Sequence, residues 1–287
     1  MSSNILKAIK NISSNETHNM RSYFEEYAGP QIKTVRQQIK HYMKDAISGS
    51  YKSATTKKPS ERYEDVFSYL GSKIKPPDMI IKNGDALVIK TIKTSKSSLI
   101  LSNSPPKDQL KWNDPWIIKN CRGIDGGQWN SRDIFYVTGW IEKSKIKYLY
   151  FVQGKCYASK EMVYNKKIAE LRKNIENYLS PEGLQPNSTI GLGKLSNMDP
   201  LGITTLEIKV IWKIQNPIKV FSEAYGYDKK QDFTLIALML KEKFDAHPKK
   251  DIDAIISDQK IKLKDVKIKN PNKPENKIDA KLITISQ

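Results

Sequence analysis

The chain has 287 residues, of which 38% are hydrophobic and 9% aromatic, so it can form one large core or one core with an elaboration. Its 49 lysines and arginines outnumber 31 acids, and the net charge of +18 favours a polyanionic partner, although an AT-rich genome would enrich lysine in the same way. No apolar run has the length of a membrane span, and the first residues lack the apolar core of a signal peptide, so we expect a cytoplasmic protein without membrane contact. Cys121 and Cys156 lack the spacing of zinc ligands, so we expect no structural zinc site.

The region before residue 76 is predicted to be mainly helical. Apolar residues spaced by three or four positions predict helices over residues 17–47, with a break at residues 29–30 (GP). The polar, lysine-rich residues 50–60 predict a loop. Residues 63–70 (YEDVFSYL) predict a short helix that ends at Gly71.

Residues 76–93 (PPDMIIKNGDALVIKTIK) predict the β-hairpin around which the rest of the chain is organised. The runs at 79–81 and 86–89 are rich in β-forming residues. Asn83-Gly84 between them is the strongest short-range signal for a two-residue hairpin turn. The register of the two strands therefore decides which polar side chains of the hairpin share a face.

An acid and a lysine lie on this hairpin. Asp78 stands at the start of the first strand, and Lys90 stands near the end of the second. A carboxylate that holds a divalent cation, with a lysine that orients water or offsets charge on the phosphate, can form a phosphodiester-cleaving centre. Residues two apart on a strand share a face, so Val88 and Lys90 point the same way. The second acid expected two residues before the lysine is missing, since position 88 holds valine. Asp85 has the opposite parity, but it lies beside the turn, where bulges relax the rule.

The rest of the chain mixes strands and helices. The patterns predict strands over 97–101, 134–141, 148–153, 206–212 and, as an edge strand, 281–286. They predict helices over 114–122 and 159–179. Residues 232–240 fit either a helix or a strand, and the charged segment after residue 241 includes a predicted linker at 270–277.

This order of elements predicts an α/β fold with a mixed central β-sheet and helices on both faces. We expect three regions: an N-terminal helical region (1–58), a core that contains the hairpin (59–225) and a basic C-terminal extension (226–287). The family resemblance given next implies that residues 59–225 are the catalytic and DNA-recognition core.

The hairpin and its flanking blocks resemble the type II restriction endonucleases of the NgoPII family, which belong to the PD-(D/E)XK nuclease superfamily. VFSYLG precedes the hairpin and LILSNSPPK follows it; the resemblance continues in the blocks DIFYVTG (133–139), LGKLSNMDPLGIT (192–204) and IQNP (214–217). It covers roughly residues 60–225, and the tail from about residue 226 lies outside it.

The resemblance implies a PD-(D/E)XK-like sheet and a homodimeric, Mg²⁺-dependent endonuclease that cuts double-stranded DNA at a short palindrome, GGCC in relatives of this kind. It also implies a cognate DNA methyltransferase that protects the same site, in a prokaryotic cell. The family's Asp falls on Asp78, its Lys on Lys90 and its central Glu on Val88. Valine cannot bind a metal ion.

Three interpretations of Val88 compete. The chain is a catalytically inactivated form, since Glu and Val codons differ by one base. Alternatively, Asp85, Glu64 or Asp65 supplies the missing acid; with Asp85, the metal ligands would be Asp78 and Asp85. Last, the protein binds DNA without cutting it. Two functions compete with that of a restriction endonuclease. One is noncatalytic, sequence-specific DNA binding on the same fold, and the other is structure-specific cleavage of DNA in repair.

Seven further residues are candidates for DNA contact. Their side chains suit base edges or phosphates: Asn103, Ser104, Lys107, Arg122, Arg132, Asp199 and Thr204. Each also has a structural interpretation. Residues 103–107 have turn composition, the two arginines suit a solvated surface, and Asp199 with Thr204 suits a cap.

Overall fold

A computed structural model of the chain describes residues 3–15, 18, 34–49, 63–71, 75–94, 96–127, 129–179, 191–196, 198–225 and 230–287. The strands in these ranges are β1 (Phe67–Leu70), β2 (Met79–Ile81), β3 (Ala86–Thr91), β4 (Ser98–Ser102), β5 (Gln109–Lys111), β6 (Ser131–Glu142), β7 (Lys145–Gln153), β8 (Gly191–Ser196), β9 (Thr205–Lys209), β10 (Trp212–Gln215), β11 (Thr234–Leu240), β12 (Ile261–Asn270) and β13 (Lys273–Ser286). The α-helices are α1 (Ile5–Ser13), α2 (Val35–Ser48), α3 (Gly154–Tyr157), α4 (Glu161–Leu179), α5 (Pro217–Val220), α6 (Lys241–Asp245) and α7 (Lys249–Ile256).

A mixed β-sheet organises the described residues. Its strand order is β1-β2-β3-β6-β7-β11-β13-β12, and β5 pairs with the beginning of β6. The β3–β6 and β7–β11 pairs are parallel, and the other pairs are antiparallel. Two small antiparallel pairs, β4–β10 and β8–β9, lie outside this sheet. The structure therefore confirms the predicted α/β class with a large mixed sheet and flanking helices.

The central sheet separates two hydrophobic cores. Leu87 and Ile89 on β3 join the core formed with α1, α2 and α7, whereas Ala86 and Val88 face the core that includes β4, α3 and α5. Alternation along one strand thus serves both faces, which is why β3 reads as a continuous apolar run. Helix α2 comes close to the sheet at Gly139, where a built Cβ would lie 2.6 Å from Ile39 Cδ1.

Several predicted elements are confirmed. The hairpin forms as β2 and β3, and Asn83 at its turn has a φ of 53°, in the left-handed region that Asn tolerates. The strands predicted at 134–141 and 148–153 are β6 and β7, the strand at 97–101 is β4, and the helix at 159–179 is α4. Residues 232–240, which fitted two structures, contain strand β11.

Three local predictions were wrong. Residues 63–70 contain strand β1 instead of a helix, because pairing with β2 and burial of Phe67 override the local pattern. Residues 114–122 hold only a short 3-10 helix, Lys119–Cys121. The strand predicted at 206–212 is divided between β9 and β10, which pair with different partners.

The C-terminal segment was also misjudged. Residues 270–277 are not a linker, since they turn β12 into β13, and β13 is an interior strand while β12 forms the edge. Exposed lysines cover this edge strand at Lys262, Lys264, Lys267 and Lys269. The boundary predicted at residue 226 stays a prediction, although β11, β12 and β13 share the sheet of the predicted core.

Helix α1 had no counterpart in the sequence-based assignment. Its cap, Asn4, also donates to Asp251 at 2.6 Å, and Lys10 pairs with Asp258 at 2.6 Å, so α1 holds the C-terminal segment to the first core. Of the helices predicted over 17–47, the second is confirmed as α2 and the first lies outside the described residues, apart from His18. Among the described helices, none is long and apolar enough to cross a membrane.

His18 is a buried, neutral base that ties the last residue of the chain to the first core. Its ring stacks on Phe233 at 3.6 Å, and its two nitrogens lie 3.0 Å from the Tyr42 hydroxyl and 3.0 Å from Gln287 Oε1. Burial lowers its pKa from 6.5 to about 4; the Gln287 hydrogen bond opposes this shift, and Lys260 adds to it. The folded protein therefore disfavours the imidazolium.

We expect acid to destabilise the fold through this residue. A base whose pKa is lowered by folding contributes stability above its unfolded pKa, and that stability is lost as the pH falls toward its folded pKa. The pKa of His18 is 6.5 in the unfolded chain and about 4 in the folded protein. Protonation of His18 should therefore lower the free energy of unfolding by about 2 kcal/mol when the pH falls from about 7 to about 5. Urea unfolding of wild type and His18→Gln at both pH values measures this contribution.

The replacement should flatten the pH dependence without removing it. His41 and His247 remain in the variant, and burial lowers their pKa values as well. An identical loss of unfolding free energy in wild type and His18→Gln would show that His18 does not carry this effect.

Candidate active site

A cleft beside the hairpin brings Asp78, Val88 and Lys90 together. It encloses about 440 Å³ of empty space, including space open to solvent. The other side chains that line it come from α2, from the segment before β2 and from the β4–β5 connection and β6: Arg36, Lys75, Pro76, Leu101, Ser102, Ser104, Pro105, Lys107 and Tyr136. The acid and the lysine singled out by the sequence therefore share one cleft.

Asp78 is fixed by the backbone of both neighbouring segments. Its N–H donates to the Leu87 carbonyl at 2.8 Å, and its carbonyl accepts from the Gly71 N–H at 2.8 Å. Its side chain reaches across to β3, where Oδ2 accepts the Ile89 N–H at 2.8 Å. The carboxylate thus contacts Ile89, the residue between Val88 and Lys90 on β3. Asp78 as a whole residue is 2% exposed.

The other carboxylate oxygen is held by Arg36. Thr34 caps α2 through a capping box with Gln37, so Arg36 lies in the first helical turn and faces the hairpin. Its Nη2 contacts Asp78 Oδ1, and its Nε donates to the Ile89 carbonyl at 3.1 Å. A guanidinium consequently occupies the side of Asp78 that the backbone leaves open.

Further cations surround this pair. Burial lowers the pKa of the Lys90 ammonium, with Asp78 opposing the shift and Arg36 adding to it. Burial likewise lowers the pKa of Lys40, again against the attraction of Asp78, and Lys40 Nζ donates to the Gly71 carbonyl. Neither Lys90 nor Lys75 has a hydrogen-bond or ion-pair partner among the described residues.

The donor set that the described residues give this cleft does not fit a magnesium ion. Mg²⁺ requires several oxygen ligands in near-octahedral geometry. Val88 supplies none, and both oxygens of Asp78 are already hydrogen-bonded. In the part of the chain that the structure describes, no cluster of three or more His, Cys, Asp or Glu residues could hold a metal ion.

The three substitute acids lie elsewhere. Asp85 is buried against the helix after β11, where its Oδ1 lies 2.6 Å from Lys243 Nζ. Burial by itself would lower the pKa of Lys243, but Asp85 and Asp133 together raise it above its ordinary value. Glu64 and Asp65 are exposed in the turn before β1. None of the three lines the cleft, so Asp78 is its one acid among the described residues.

The residues of the β4–β5 connection differ in what they offer to a ligand. Asn103 is half-buried, and Ser104 is buried but lines the cleft. Lys107 is 4% exposed and forms a buried ion pair with Asp114, while its N–H donates to the Tyr136 hydroxyl at 2.6 Å. The ammonium of Lys107 is therefore already neutralised, and this placement does not support a DNA contact.

The two arginines are structural in this arrangement. Arg132 Nη2 pairs with Asp125 Oδ2 at 2.7 Å, and its Nη1 donates to the Gly84 carbonyl at 3.0 Å. The same Asp125 oxygen accepts the Asn83 N–H at 3.0 Å, so this pair holds the hairpin turn. Arg122 Nη2 donates to the Asp114 carbonyl at 2.9 Å.

Asp199 and Thr204 form a cap within the loop between β8 and β9. Asp199 Oδ2 accepts the Thr204 N–H at 2.6 Å, and Oδ1 accepts the Leu201 N–H at 2.9 Å. These bonds lower the pKa of Asp199, above all the bond with Thr204. The capping interpretation therefore accounts for Asp199. A contact between this exposed loop and DNA stays a prediction.

Sequence reasoning missed Arg36, Lys40 and Lys75 as members of the site. Arg36 lies 42 positions before Asp78, on a helix whose apolar spacing gives no indication of what its polar face contacts. Lys75 directly precedes the hairpin, and in the sequence it looks like the many other lysines of this basic chain. A search for cations near the hairpin would have found Lys75 but not Arg36.

Comparison with known proteins extends the resemblance seen at the hairpin. The family model for the NgoPII restriction endonuclease matches residues 3–269, beyond the range of 60–225 expected from the motifs alone. The type II restriction enzyme NgoPII of Neisseria gonorrhoeae is 34% identical over 282 residues, covering 98% of this chain and 99% of that enzyme. No solved structure gives a significant match. The chain therefore belongs to the NgoPII family of restriction endonucleases, which are site-specific deoxyribonucleases.

Proposed function

We propose that this restriction endonuclease recognises a short palindrome in double-stranded DNA, with Asp78 and Lys90 at its reactive centre. By resemblance, the site is GGCC-like. The observation that carries the proposal is the shared cleft: Asp78 accepts the Ile89 N–H at 2.8 Å, directly beside Lys90 on β3. The family match supports sequence-specific cutting over a structure-specific repair activity.

The cleft can stabilise the charge of a reacting phosphate. Attack on a phosphodiester adds negative charge to the oxygens around phosphorus, and preorganised cations offset that charge more effectively in a partly dry site than in water. Lys90 supplies an ammonium that no described residue neutralises, and Arg36 supplies a guanidinium fixed by Asp78 and by the Ile89 carbonyl. We assign Lys90 to the scissile phosphate and Asp78 to the positioning of cations beside it.

Position 88 decides whether these residues cut. Type II restriction enzymes generally use a divalent metal ion, and Mg²⁺ is the ion that we propose for this family's reaction. The described donor set does not fit that ion while valine stands at 88. We therefore favour a catalytically crippled form of the endonuclease. A noncatalytic DNA-binding protein is the second candidate, and the pairing of Arg36 with Asp78 favours it.

The remaining proposals concern partners and place. Cutting both strands of a palindrome calls for two copies of the cleft related by a twofold axis, which supports a homodimer. A cognate DNA methyltransferase that protects the same palindrome would complete a restriction-modification system. We place the protein in the cytoplasm of a prokaryotic cell, where its DNA substrate lies.

Val88→Glu should restore or raise Mg²⁺-dependent cleavage. The new carboxylate would lie on the face of β3 that carries Lys90, beside Asp78, and would supply the missing oxygen ligands. We expect at least about a tenfold gain in the rate at which plasmid DNA is cut to discrete fragments with Mg²⁺.

The matched control is Val88→Gln, which has the size of Glu without its charge. It should leave cleavage at the wild-type level. If folded Val88→Glu, checked by circular dichroism, cuts no better than Val88→Gln, the inactivated-enzyme interpretation fails and the noncatalytic DNA-binding protein takes its place.

Asp85→Asn should weaken the fold and spare the chemistry. Removing this charge leaves the half-buried Lys243 with Asp133, at 3.2 Å, as its remaining ion-pair partner among the described residues. We expect the free energy of unfolding to fall by about 2 kcal/mol. In the Val88→Glu background, the cleavage rate at a temperature where both proteins are folded should stay within about twofold.

Lys243→Met provides the comparison, because it breaks the same ion pair from the other side. Equal cleavage by both variants supports a structural pair. A large loss of cleavage in Asp85→Asn alone would make Asp85 the acid of the metal site and contradict the placement given above.

A further inference from the structure

Among the described residues, the cleft beside Asp78 carries more positive charge than its one carboxylate can balance. Arg36, Lys75 and Lys90 line it together with Asp78. Lys107 adds no net charge, because Asp114 neutralises it in a buried pair. The described lining therefore holds three cations against one anion, which is the charge pattern of an anion site.

Two of these cations form no direct ion pair within the described chain. Lys75 and Lys90 make no hydrogen bond or ion pair with any described residue, although both are partly buried. Removing an ammonium from water without pairing it is costly. An anionic ligand that reaches into the cleft would pair both ammoniums, so their arrangement points to such a ligand.

Arg36 stands where a metal ion would bind Asp78. Its Nη2 contacts Asp78 Oδ1, and its Nε is held by the Ile89 carbonyl at 3.1 Å. The Arg36 side chain is still 31% exposed, compared with 3% for Asp78, and it lines the cleft. A guanidinium held in this way places a fixed positive charge beside a bound phosphate.

Val88 removes the charge that would oppose an anion here. It is 5% exposed, and its side chain lines the cleft on the face that Lys90 shares. A glutamate at this position would lie one strand repeat from Lys90, about 7 Å along β3. At that separation, its charge would cancel much of the attraction that the cleft exerts on a phosphate.

We propose that this cleft is an anion site that holds a DNA phosphodiester without a divalent metal ion, with the Arg36 guanidinium taking the place of the metal at Asp78. The choice of DNA as the ligand rests on the proposed function. The charge pattern itself depends only on the residues of the cleft. Wild-type protein should therefore bind its DNA in the presence of EDTA, and an added carboxylate at position 88 should weaken that binding.

Fluorescence anisotropy with the full chain in EDTA tests the proposal. The probes are a short duplex that contains GGCC and one in which that site is scrambled. Val88→Glu should bind about tenfold more weakly than Val88→Gln, because the two variants differ only in charge. Equal affinities of folded Val88→Glu and Val88→Gln would overturn the proposal.

Two further variants keep the test independent of how position 88 tolerates substitution. Arg36→Met and Lys90→Met should each weaken metal-free binding of the duplex by about tenfold. Lys93→Met is the matched control, since Lys93 is an exposed lysine just beyond β3 and does not line the cleft. If all three lose the same affinity, the cleft has no special role and the proposal fails.

Inorganic phosphate separates the anion site from its DNA ligand. It should raise the melting temperature of wild type and Val88→Gln, with a smaller effect on Val88→Glu and Lys90→Met. A phosphate effect without any charge dependence in DNA binding would overturn DNA as the ligand. Equal binding of the GGCC and scrambled duplexes would instead count against the proposed sequence specificity and leave the anion site intact.

Discussion

The Asp78 carboxylate is the constraint on which the rest of the site depends. Its two oxygens join β3, through the Ile89 N–H, to the first turn of α2, through Arg36. The helix dipole disfavours a cation in a first turn, so an acid at this point offsets both the dipole and the arginine. One buried side chain thus determines how the hairpin, the helix and the mouth of the cleft fit together.

The two cores give this arrangement its rigidity. Because β3 is buried on both faces, Leu87 packs under α2 while Val88 packs behind the cleft. A shift of one residue in register would exchange the two sets and move Lys90 into the first core. Hydrophobic packing on one side of the sheet therefore fixes the position of a charged residue on the other side.

Local patterns predicted the parts of this structure that depend on neighbours in sequence. The hairpin and its turn at Asn83 could be predicted, because strand patterns and turn chemistry act over a few residues. The missing acid at Val88 followed from the family resemblance. Arg36 and the Asp114 partner of Lys107 could not be predicted, since a charge has the same appearance in a sequence whether it faces solvent or a buried partner. The linker predicted in the C-terminal tail was wrong for a related reason: many of its charged residues lie on the solvated face of two long strands.

The lysines of β12 bear on how copies of this protein can assemble. An edge strand exposes unpaired N–H and C=O groups, and a second sheet edge could add to it only by bringing its own strand against Lys262, Lys264 and their neighbours. Two such edges from identical chains would place like charges opposite each other. This rim of the sheet therefore disfavours the pairing of two β12 edges.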